Sequence, residues 1–227
     1  MCIHIFLKQT ASSGRMVGEN YRFLLWEKRE IEFICFWLGG GDTANGFEDS
    51  EERNLIYFTA DQHFYHKNII TSTNRPFSNE DEMNRVLIQN WNNTVSFEDD
   101  VYILGDFTMK GPELASSILY GLKGKKHLIC GNHDGFVNRA SFDRSLFVSI
   151  QDYLEIVCFN TKFILSHYPM VEWNGYYKGS IMLHGHQHNH EDYNMENRKN
   201  GLWRYDVGVD ATHMTPVSAE EVIAFFQ

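Results

Sequence analysis

The distribution of apolar residues along the chain changes near residue 53. From residue 54 onward, short apolar runs alternate with polar loops and with segments of helical period, whereas residues 1–53 contain no long periodic segment. The first run, residues 55–58, has the length and bounds of a buried strand. We predict a folded domain over residues 54–227 and an N-terminal extension over residues 1–53, for which we favour poor order over partner binding.

The first half of the predicted domain alternates strands and helices. Apolar runs at residues 101–104 and 127–130 predict strands. A helix should begin at a capping box of Ser78 and Asp81, and a second should cover residues 112–122, with proline in its first turn. This alternation is typical of an α/β fold.

The second half favours additional strands. Residues 153–159 and 162–166 flank a short Asn160-Thr161 turn and predict a hairpin, and residues 180–184 and 204–209 are further candidate strands. Ser218 and Glu221 form a capping box for a closing helix. The expected architecture is two sheets that face each other, with helices outside.

The charge balance limits the partners of the chain. It has 20 Lys and Arg residues against 30 Asp and Glu residues, so its formal net charge is −10. Such a chain has no broad attraction for nucleic acids or anionic lipids. A phosphate-containing ligand would therefore need a local positive centre, such as bound metal cations.

The cysteines and the apolar segments indicate a cytoplasmic protein. The four cysteines contain no C-x-x-C pair and are too few for a disulfide scaffold of 227 residues. The most apolar stretch, residues 33–38, is much shorter than the roughly 20 residues of a membrane span. Residues 1–7 lack the basic region of a secretory signal.

Polar residues follow each of the first three predicted strands. Asp61 and His63 follow the first strand, Asp106 the second, and the run Asn132-His133-Asp134 the third. The carboxyl ends of parallel strands converge, and ligands bind in the crevice beyond them. We expect these side chains to form one site.

Three histidines further along the chain add to this set. His167 ends the predicted hairpin, although a single histidine there is more often structural, and His186 and His188 are two residues apart in an extended segment and can point the same way. Carboxylate, imidazole and amide donors suit Mn²⁺, Fe, Zn²⁺ or Ni²⁺ better than Ca²⁺. Seven ligands exceed what one tetrahedral zinc needs, whereas two metals about 3.5–4 Å apart would use them all.

The order of these blocks resembles the five signature blocks of the calcineurin-like metallophosphoesterase superfamily. The matching residues are Asp61-x-His63, Gly105-Asp106, Gly131-Asn132-His133-Asp134, His167 and Gly185-His186-x-His188. The resemblance covers residues 54–227 and is closest to small prokaryotic and phage members. It implies a four-layer α/β/β/α sandwich of two mixed sheets.

The resemblance also implies a set of roles. Two divalent transition metals, Mn²⁺ above all, would be held by Asp61, His63 and His188 at one position and by Asn132, His167 and His186 at the other, with Asp106 between them. A hydroxide that bridges the metals would attack phosphorus. His133 would donate a proton to the leaving oxygen or a hydrogen bond to the transition state, and Asp134 would orient His133.

The substrate stays open at this stage. Many family members continue the second block with an acidic residue or Asn, and some with an Arg that contacts phosphate. This chain has Phe107, Thr108 and Met109 there instead. Together with the expected nearness of aromatic Phe64 and Tyr65, this favours a phosphodiester. The alternatives are a phosphomonoesterase, a nucleotide or dinucleoside polyphosphate hydrolase and, less favoured, a non-catalytic docking module. The expected partner is a small phosphoester or nucleotide, and nothing fixes the oligomeric state.

The sequence supports only weaker functional interpretations for the other polar residues near the blocks. His66 and Asn68 are candidate substrate contacts, but a solvated loop explains them equally well. His184 and His190 are expected to be structural or exposed. Asp206 and Asp210 should cap strands or support ligands rather than bind metal.

Overall fold

The computed structural model describes residues 54–227, which fold into two β-sheets and five α-helices. The extension predicted over residues 1–53 lies outside the described residues. The strands are β1 (Ile56–Thr59), β2 (Asp100–Ile103), β3 (Lys125–Ile129), β4 (Ser149–Gln151), β5 (Tyr153–Cys158), β6 (Thr161–Ser166), β7 (Ile181–His184), β8 (Arg204–Asp206) and β9 (Val217–Ser218). The helices are α1 (Lys67–Ser72), α2 (Glu80–Thr94), α3 (Pro112–Gly121), α4 (Glu191–Lys199) and α5 (Ala219–Phe226).

The first sheet has the order β4-β3-β2-β1-β9, and β1 to β4 are parallel while β9 is antiparallel. The carboxyl ends of β1, β2 and β3 therefore lie side by side at one edge. The second sheet has the order β5-β6-β7-β8, in which β5 and β6 form the predicted hairpin. The hairpin turns at Phe159 and Asn160, which have φ values of 49° and 60°, one residue earlier than predicted.

The outer face of the first sheet is covered by α2 and α3. Met83, Leu87 and Trp91 of α2 are buried, as their helical spacing predicts, and pack in one cluster with Val101 and Ile103 of β2. Each such side chain contributes roughly 1.5–3 kcal/mol when it is fully buried. The packing of α2 on β2 therefore stabilises the sheet whose strand ends carry the candidate site.

A second core lies between the sheets. It contains Phe58 and Leu104 from the first sheet and Phe163, Leu165 and Leu183 from the second, all buried. Because successive side chains of a strand point to opposite faces, these residues alternate with residues that face outward. The two sheets are thus packed face to face.

The outer face of the second sheet is covered as well. Ile164 and Met182 pack there against Trp173. Asn194 of α4 accepts a hydrogen bond of 2.7 Å from the Asp206 N–H and donates one of 3.0 Å to the Asp206 carbonyl. The predicted four-layer α/β/β/α sandwich is confirmed.

The helix starts follow side-chain caps. The predicted Ser78 and Asp81 box is wrong by one residue, since Asn79 is the N-cap and accepts a hydrogen bond of 2.9 Å from the Glu82 N–H. The Ser218 and Glu221 box of the closing helix is confirmed. In the part of the chain described, no helix combines the length and apolar composition that a membrane crossing needs.

Candidate metal centre

The loops after β1 and β2 remain paired beyond the ends of these strands. The Asp61 N–H donates to the Gly105 carbonyl and the His63 N–H donates to the Asp106 carbonyl, both at 3.0 Å. These bonds place the Asp61, His63 and Asp106 side chains at the shared edge of the sheet. The convergence expected from their strand-end positions is therefore observed.

The carboxylate of Asp134 joins the loop after β3 to the same edge. It accepts hydrogen bonds from the N–H groups of Gly131 and Asp106 at 2.8 Å and of Phe107 at 2.9 Å. The prediction that Asp134 orients the ring of His133 is wrong, because both carboxylate oxygens are used by the backbone. Burial raises the pKa of Asp134 to about 6, although these hydrogen bonds oppose the rise.

Several candidate ligands adopt a left-handed backbone that favours glycine. A positive φ costs a residue with a side chain about 1–2 kcal/mol, so the surrounding bonds must enforce it. The five residues are Asp61 (59°), His63 (50°), Asp106 (56°), His186 (73°) and His188 (51°). Such strain is concentrated at functional sites.

The first group of candidate ligands consists of Asp61, His63 and His188. One ligand atom from each residue lies within 4.8 Å of the others. Asp61 and His63 are buried, and His188 is half-buried. These are the three residues that the resemblance assigns to one metal position.

The second group consists of Asp106, His167 and His186, whose ligand atoms also lie within 4.8 Å of one another. Asn132 belongs to it by distance, because its Oδ1 is 3.1 Å from His167 Nε2. His186 Nδ1 is 3.2 Å from the same His167 nitrogen. All seven candidate ligands are therefore gathered in two adjacent groups.

Asp106 lies beside both groups. Its Oδ2 atom is 3.4 Å from His63 Nε2 and 3.6 Å from His167 Nε2. Burial alone would raise the pKa of Asp106, but the polar contact with His63, the nearby His167 and the His133 N–H lower it to about 2. An ionised oxygen thus lies between a histidine of each group.

The unsatisfied atoms of the site fit a bound cation. Asp61 Oδ1 and His63 Nε2 are buried and have no hydrogen-bond partner, and the 3.4 Å contact with Asp106 does not have hydrogen-bond geometry. A buried polar atom without a partner costs roughly 1–3 kcal/mol. A divalent cation held by Asp61 and His63 would remove this cost at both atoms, and carboxylate, imidazole and amide donors suit a transition metal.

The protonation states point the same way. Burial lowers the pKa of His63 to about 4 and also lowers that of His167. Burial, followed by the charges of Asp206 and Asp106, raises the pKa of Asp61 well above its usual range. Burial therefore favours the neutral form of His63 and His167, which is the form that binds metal. A cation would offset the repulsion among the carboxylates.

Gly185 allows the second sheet to approach Asp61. A Cβ atom on Gly185 would lie 2.6 Å from Asp61 Oδ2, closer than the carboxylate permits. The same oxygen accepts a hydrogen bond of 2.8 Å from the His186 N–H. The glycine of the Gly185-His186-x-His188 block therefore has a packing reason.

A buried arginine supports the first group. Arg75 donates to both oxygens of Asp210 at 2.8 Å and to the carbonyls of Asp61 and Gln62 at 2.7 and 3.0 Å. Asp210 Oδ2 is also 2.9 Å from His188 Nδ1. Asp210 thus supports a ligand, as predicted. Arg75 carried no sequence signal, because it stands before a proline in a polar loop.

The structural histidines are placed as expected. His184 is buried, and its ring contacts the Gly185 carbonyl at 2.9 Å and the Tyr193 hydroxyl at 3.2 Å. His190 is exposed just before α4. Asp206 accepts a hydrogen bond of 2.7 Å from the Gly208 N–H. None of these residues is among the candidate ligands.

His133 lies at the mouth of the site. Its side chain is 35% exposed, and its Nε2 is 3.9 Å from Asp106 Oδ2. His66 Nδ1 is 3.3 Å from His63 Nδ1, and Asn68 is exposed beside it on α1. A molecule bound at the two groups could therefore reach His133 and His66 from solvent.

The expected aromatic surface is only partly present. Phe64 is fully buried and packs on Phe107, with ring centroids 5.1 Å apart, so the expectation that it borders the site is wrong. The backbone alternates across this loop, and Phe64 turns into the core while His63 turns to the site. Tyr65 is half-buried and lines a hollow next to His66.

Comparison with known proteins finds similar phage and bacterial proteins. No protein-family model matches the chain. It is 28% identical over 183 residues to the Gene 66 protein of Mycobacterium phage D29, covering 70% of this chain and 89% of that one. The solved structure of a protein of unknown function, AQ665 from Aquifex aeolicus, is similar with a TM-score of 0.60 and 26% identity, over 76% of this chain and 99% of that one.

An archaeal relative is more similar in sequence. The uncharacterized protein MJ1445 of Methanocaldococcus jannaschii is 36% identical over 177 residues, which cover 76% of this chain and 91% of that protein. Identity at this level over most of both chains shows that this chain belongs to the same family as MJ1445.

Proposed function

We propose that this chain is a metallophosphoesterase of the calcineurin-like type, which uses two divalent metal ions to hydrolyse phosphodiester bonds. The observation that carries the proposal is the position of Asp106, whose Oδ2 lies 3.4 Å from His63 and 3.6 Å from His167, one histidine from each ligand group. A carboxylate between two ligand sets is the arrangement that a two-metal site requires.

Each candidate ligand is assigned to a metal position. One metal would be held by Asp61, His63 and His188. The other would be held by Asn132, His167 and His186, and Asp106 would bind both metals. Mn²⁺ is the expected ion, with Fe, Zn²⁺ or Ni²⁺ as alternatives of similar ligand preference. When bound, the two cations supply a water of lowered pKa and offset the charge of the phosphate.

His133 serves the leaving group. Its half-exposed ring lies at the mouth, close enough to Asp106 to reach a phosphate bound at the two groups. A protonated His133 would donate its proton to the leaving oxygen or stabilise the transition state by a hydrogen bond. Asp106 supports this position, because its Oδ1 accepts a hydrogen bond of 2.9 Å from the His133 N–H.

The diester is favoured over the monoester by charge. A phosphodiester carries one negative charge fewer, and the segment Phe107-Thr108-Met109 after Asp106 offers no cation to the phosphate itself. Half-buried Tyr65 provides an apolar surface for the second organic group. A monoester would instead need a cationic side chain next to the scissile phosphate in addition to the two metals.

The test is metal-dependent hydrolysis. The full chain is stripped with a chelator, resupplied with Mn²⁺ and assayed on bis(p-nitrophenyl) phosphate and p-nitrophenyl phosphate, with metal content measured in parallel. We expect two metals per chain, turnover only with metal, and a higher kcat/KM for the diester. Asp106→Asn should lose roughly 100-fold in metal affinity or activity, whereas Asp81→Asn, at an exposed residue of α2, is the matched control.

The outcomes separate the alternatives. Full turnover by metal-free protein would contradict the proposal. A tenfold or greater preference for the monoester would indicate a phosphomonoesterase. Two bound metals without turnover of any phosphoester would indicate a docking module.

A further inference from the structure

Two shallow hollows adjoin each other beside His133. One, of about 370 Å³, is bordered by His66, Lys67 and Lys110. The other, of about 210 Å³, is bordered by Lys110, His133 and Arg139. The two hollows are neighbours, because Met109 and Lys110 line both of them. We call them together the Lys110 groove, and His133 lines its smaller part.

The Lys110 groove is positively charged in an acidic protein. Lys67, Lys110 and Arg139 are exposed, and within residues 54–227 none of the three forms an ion pair. Glu80 borders the Lys110 groove and offsets one of these charges. In a chain with a net charge of −10, a local cluster that stays net positive favours an anionic ligand.

The lining of the Lys110 groove is also partly apolar. Met109 belongs to both hollows and is 47% exposed, and half-buried Tyr65 borders the larger one. An apolar surface between cationic side chains suits a molecule with a flat or sugar-like body and a phosphate at its far end.

We propose that the Lys110 groove binds a second phosphate on the leaving-group side of the substrate, so that the substrate is a nucleotide-like ester with more than one phosphate. The inference rests on the proposed function, because His133 marks the side on which the leaving group departs. The scissile phosphate lies at the two ligand groups, the organic body lies over Met109, and Lys110 and Arg139 contact the next phosphate.

The inference is tested by affinity rather than turnover. Isothermal titration calorimetry of the full chain supplied with Mn²⁺ compares thymidine 5′-monophosphate with thymidine 3′,5′-bisphosphate, and the nucleotides are recovered afterwards to check that they are intact. We expect the bisphosphate to bind roughly threefold to tenfold more tightly, with an advantage that shrinks as salt is raised.

Variants test whether the tighter binding of the bisphosphate depends on the Lys110 groove. Lys110→Ala and Arg139→Ala should each reduce the ratio of the two affinities, whereas Lys178→Ala, at an exposed lysine far along the chain, is the matched control. Equal affinity for the two nucleotides, or an advantage that survives both variants, would overturn the inference. Absence of phosphoesterase turnover would contradict the proposed function. The affinity comparison would still show whether the Lys110 groove binds a second phosphate.

A length series distinguishes the sources of the second phosphate. The same titration with oligothymidylates of increasing length should show affinity that levels off at two phosphates if the substrate is a small nucleotide. Affinity that continues to rise with length would identify a single-stranded nucleic acid as the source. Either result supports a second-phosphate site.

Discussion

Arg75 and Asp210 are joined by two parallel hydrogen bonds of 2.8 Å although 135 residues separate them in the chain. Both side chains are almost fully buried, with exposures of 0% and 1%. One oxygen of Asp210 also contacts His188, and Arg75 contacts the Asp61 carbonyl. The pair therefore connects Asp61 and His188, two candidate ligands that are 127 positions apart in the chain.

Replacing Arg75 should weaken metal binding and stability together. Arg75→Met leaves Asp210 buried without its partner, so we expect a loss of about 3–5 kcal/mol in the free energy of unfolding. Mn²⁺ affinity should fall by about 10–100-fold, because the orientation of His188 is lost. Urea denaturation and calorimetric Mn²⁺ titration measure the two effects.

Two further variants interpret the Arg75 result. Arg75→Lys keeps the charge but not the paired hydrogen bonds. Its free energy of unfolding and its Mn²⁺ affinity should therefore lie between those of the wild type and of Arg75→Met. Arg85→Lys, at an exposed residue of α2, is the control. Mn²⁺ affinity unchanged in Arg75→Met would show that the pair stabilises the fold without positioning His188.

His133→Ala should lower kcat by about 10²–10⁴-fold while both metals stay bound. The reason is that His133 lies at the mouth of the site rather than within either ligand group. Metal analysis and steady-state kinetics on one sample measure both quantities, and His190→Ala, at an exposed histidine, serves as the control. A variant that loses metal but recovers its rate in excess Mn²⁺ would make His133 a ligand.

Glu155 should give the fold a pH-dependent contribution away from the metal centre. Hydrogen bonds from Tyr153, Lys162 and Asn174 lower the pKa of Glu155 from 4.5 to about 2. A carboxyl with a lowered folded-state pKa binds protons more weakly in the folded state than in the unfolded state. Its contribution is therefore present above the unfolded value of 4.5 and is lost as pH falls towards 2.

The Glu155 prediction is measured by the difference in unfolding free energy between the wild type and Glu155→Gln. We expect this difference to shrink between about pH 6 and about pH 3. Glu196→Gln, at an exposed residue of α4, corrects for the general effect of acid. A difference that is constant over this range would show that the contacts of Glu155 do not favour its ionised form.

A chain of residues 54–227 should fold and keep its turnover number. The first strand begins at Ile56, and the backbone N–H of Leu55 is held by Asp99 Oδ1 at 2.9 Å. All seven candidate ligands lie after residue 54. Circular dichroism and the rate on bis(p-nitrophenyl) phosphate check this, and an insoluble or inactive product would mean that residues 1–53 complete the domain.

Sequence patterns were most informative where a periodic apolar face meets a clear boundary. The buried face of α2 and the hairpin of β5 and β6 were predictable, because packing dictates which positions are apolar. Strands β4 and β9 have three and two residues, too short for a period to be visible. Helix α4 leaves no periodic apolar pattern in the sequence, because it packs through polar Asn194 and Asn197.

The candidate site was predictable in its ligands but not in its support. Strand ends and residue types pointed to the seven ligands, since these positions are fixed by the parallel sheet. Arg75 and Asp210 are in contact but are 135 positions apart in the sequence, so their contact leaves no local sequence pattern. Asp134 stands next to His133 in the sequence, yet the turn directs its carboxylate to the backbone, and Phe64 turns into the core.

The left-handed backbone at five candidate ligands implies a trade-off between activity and thermodynamic stability. Each of these residues keeps an unfavourable conformation so that its side chain can face the site. A glycine tolerates that conformation, so His186→Gly should abolish metal binding yet make the metal-free chain more stable, by up to about 1 kcal/mol. The residue that would be best for stability at this position is therefore different from a residue that could bind a metal ion.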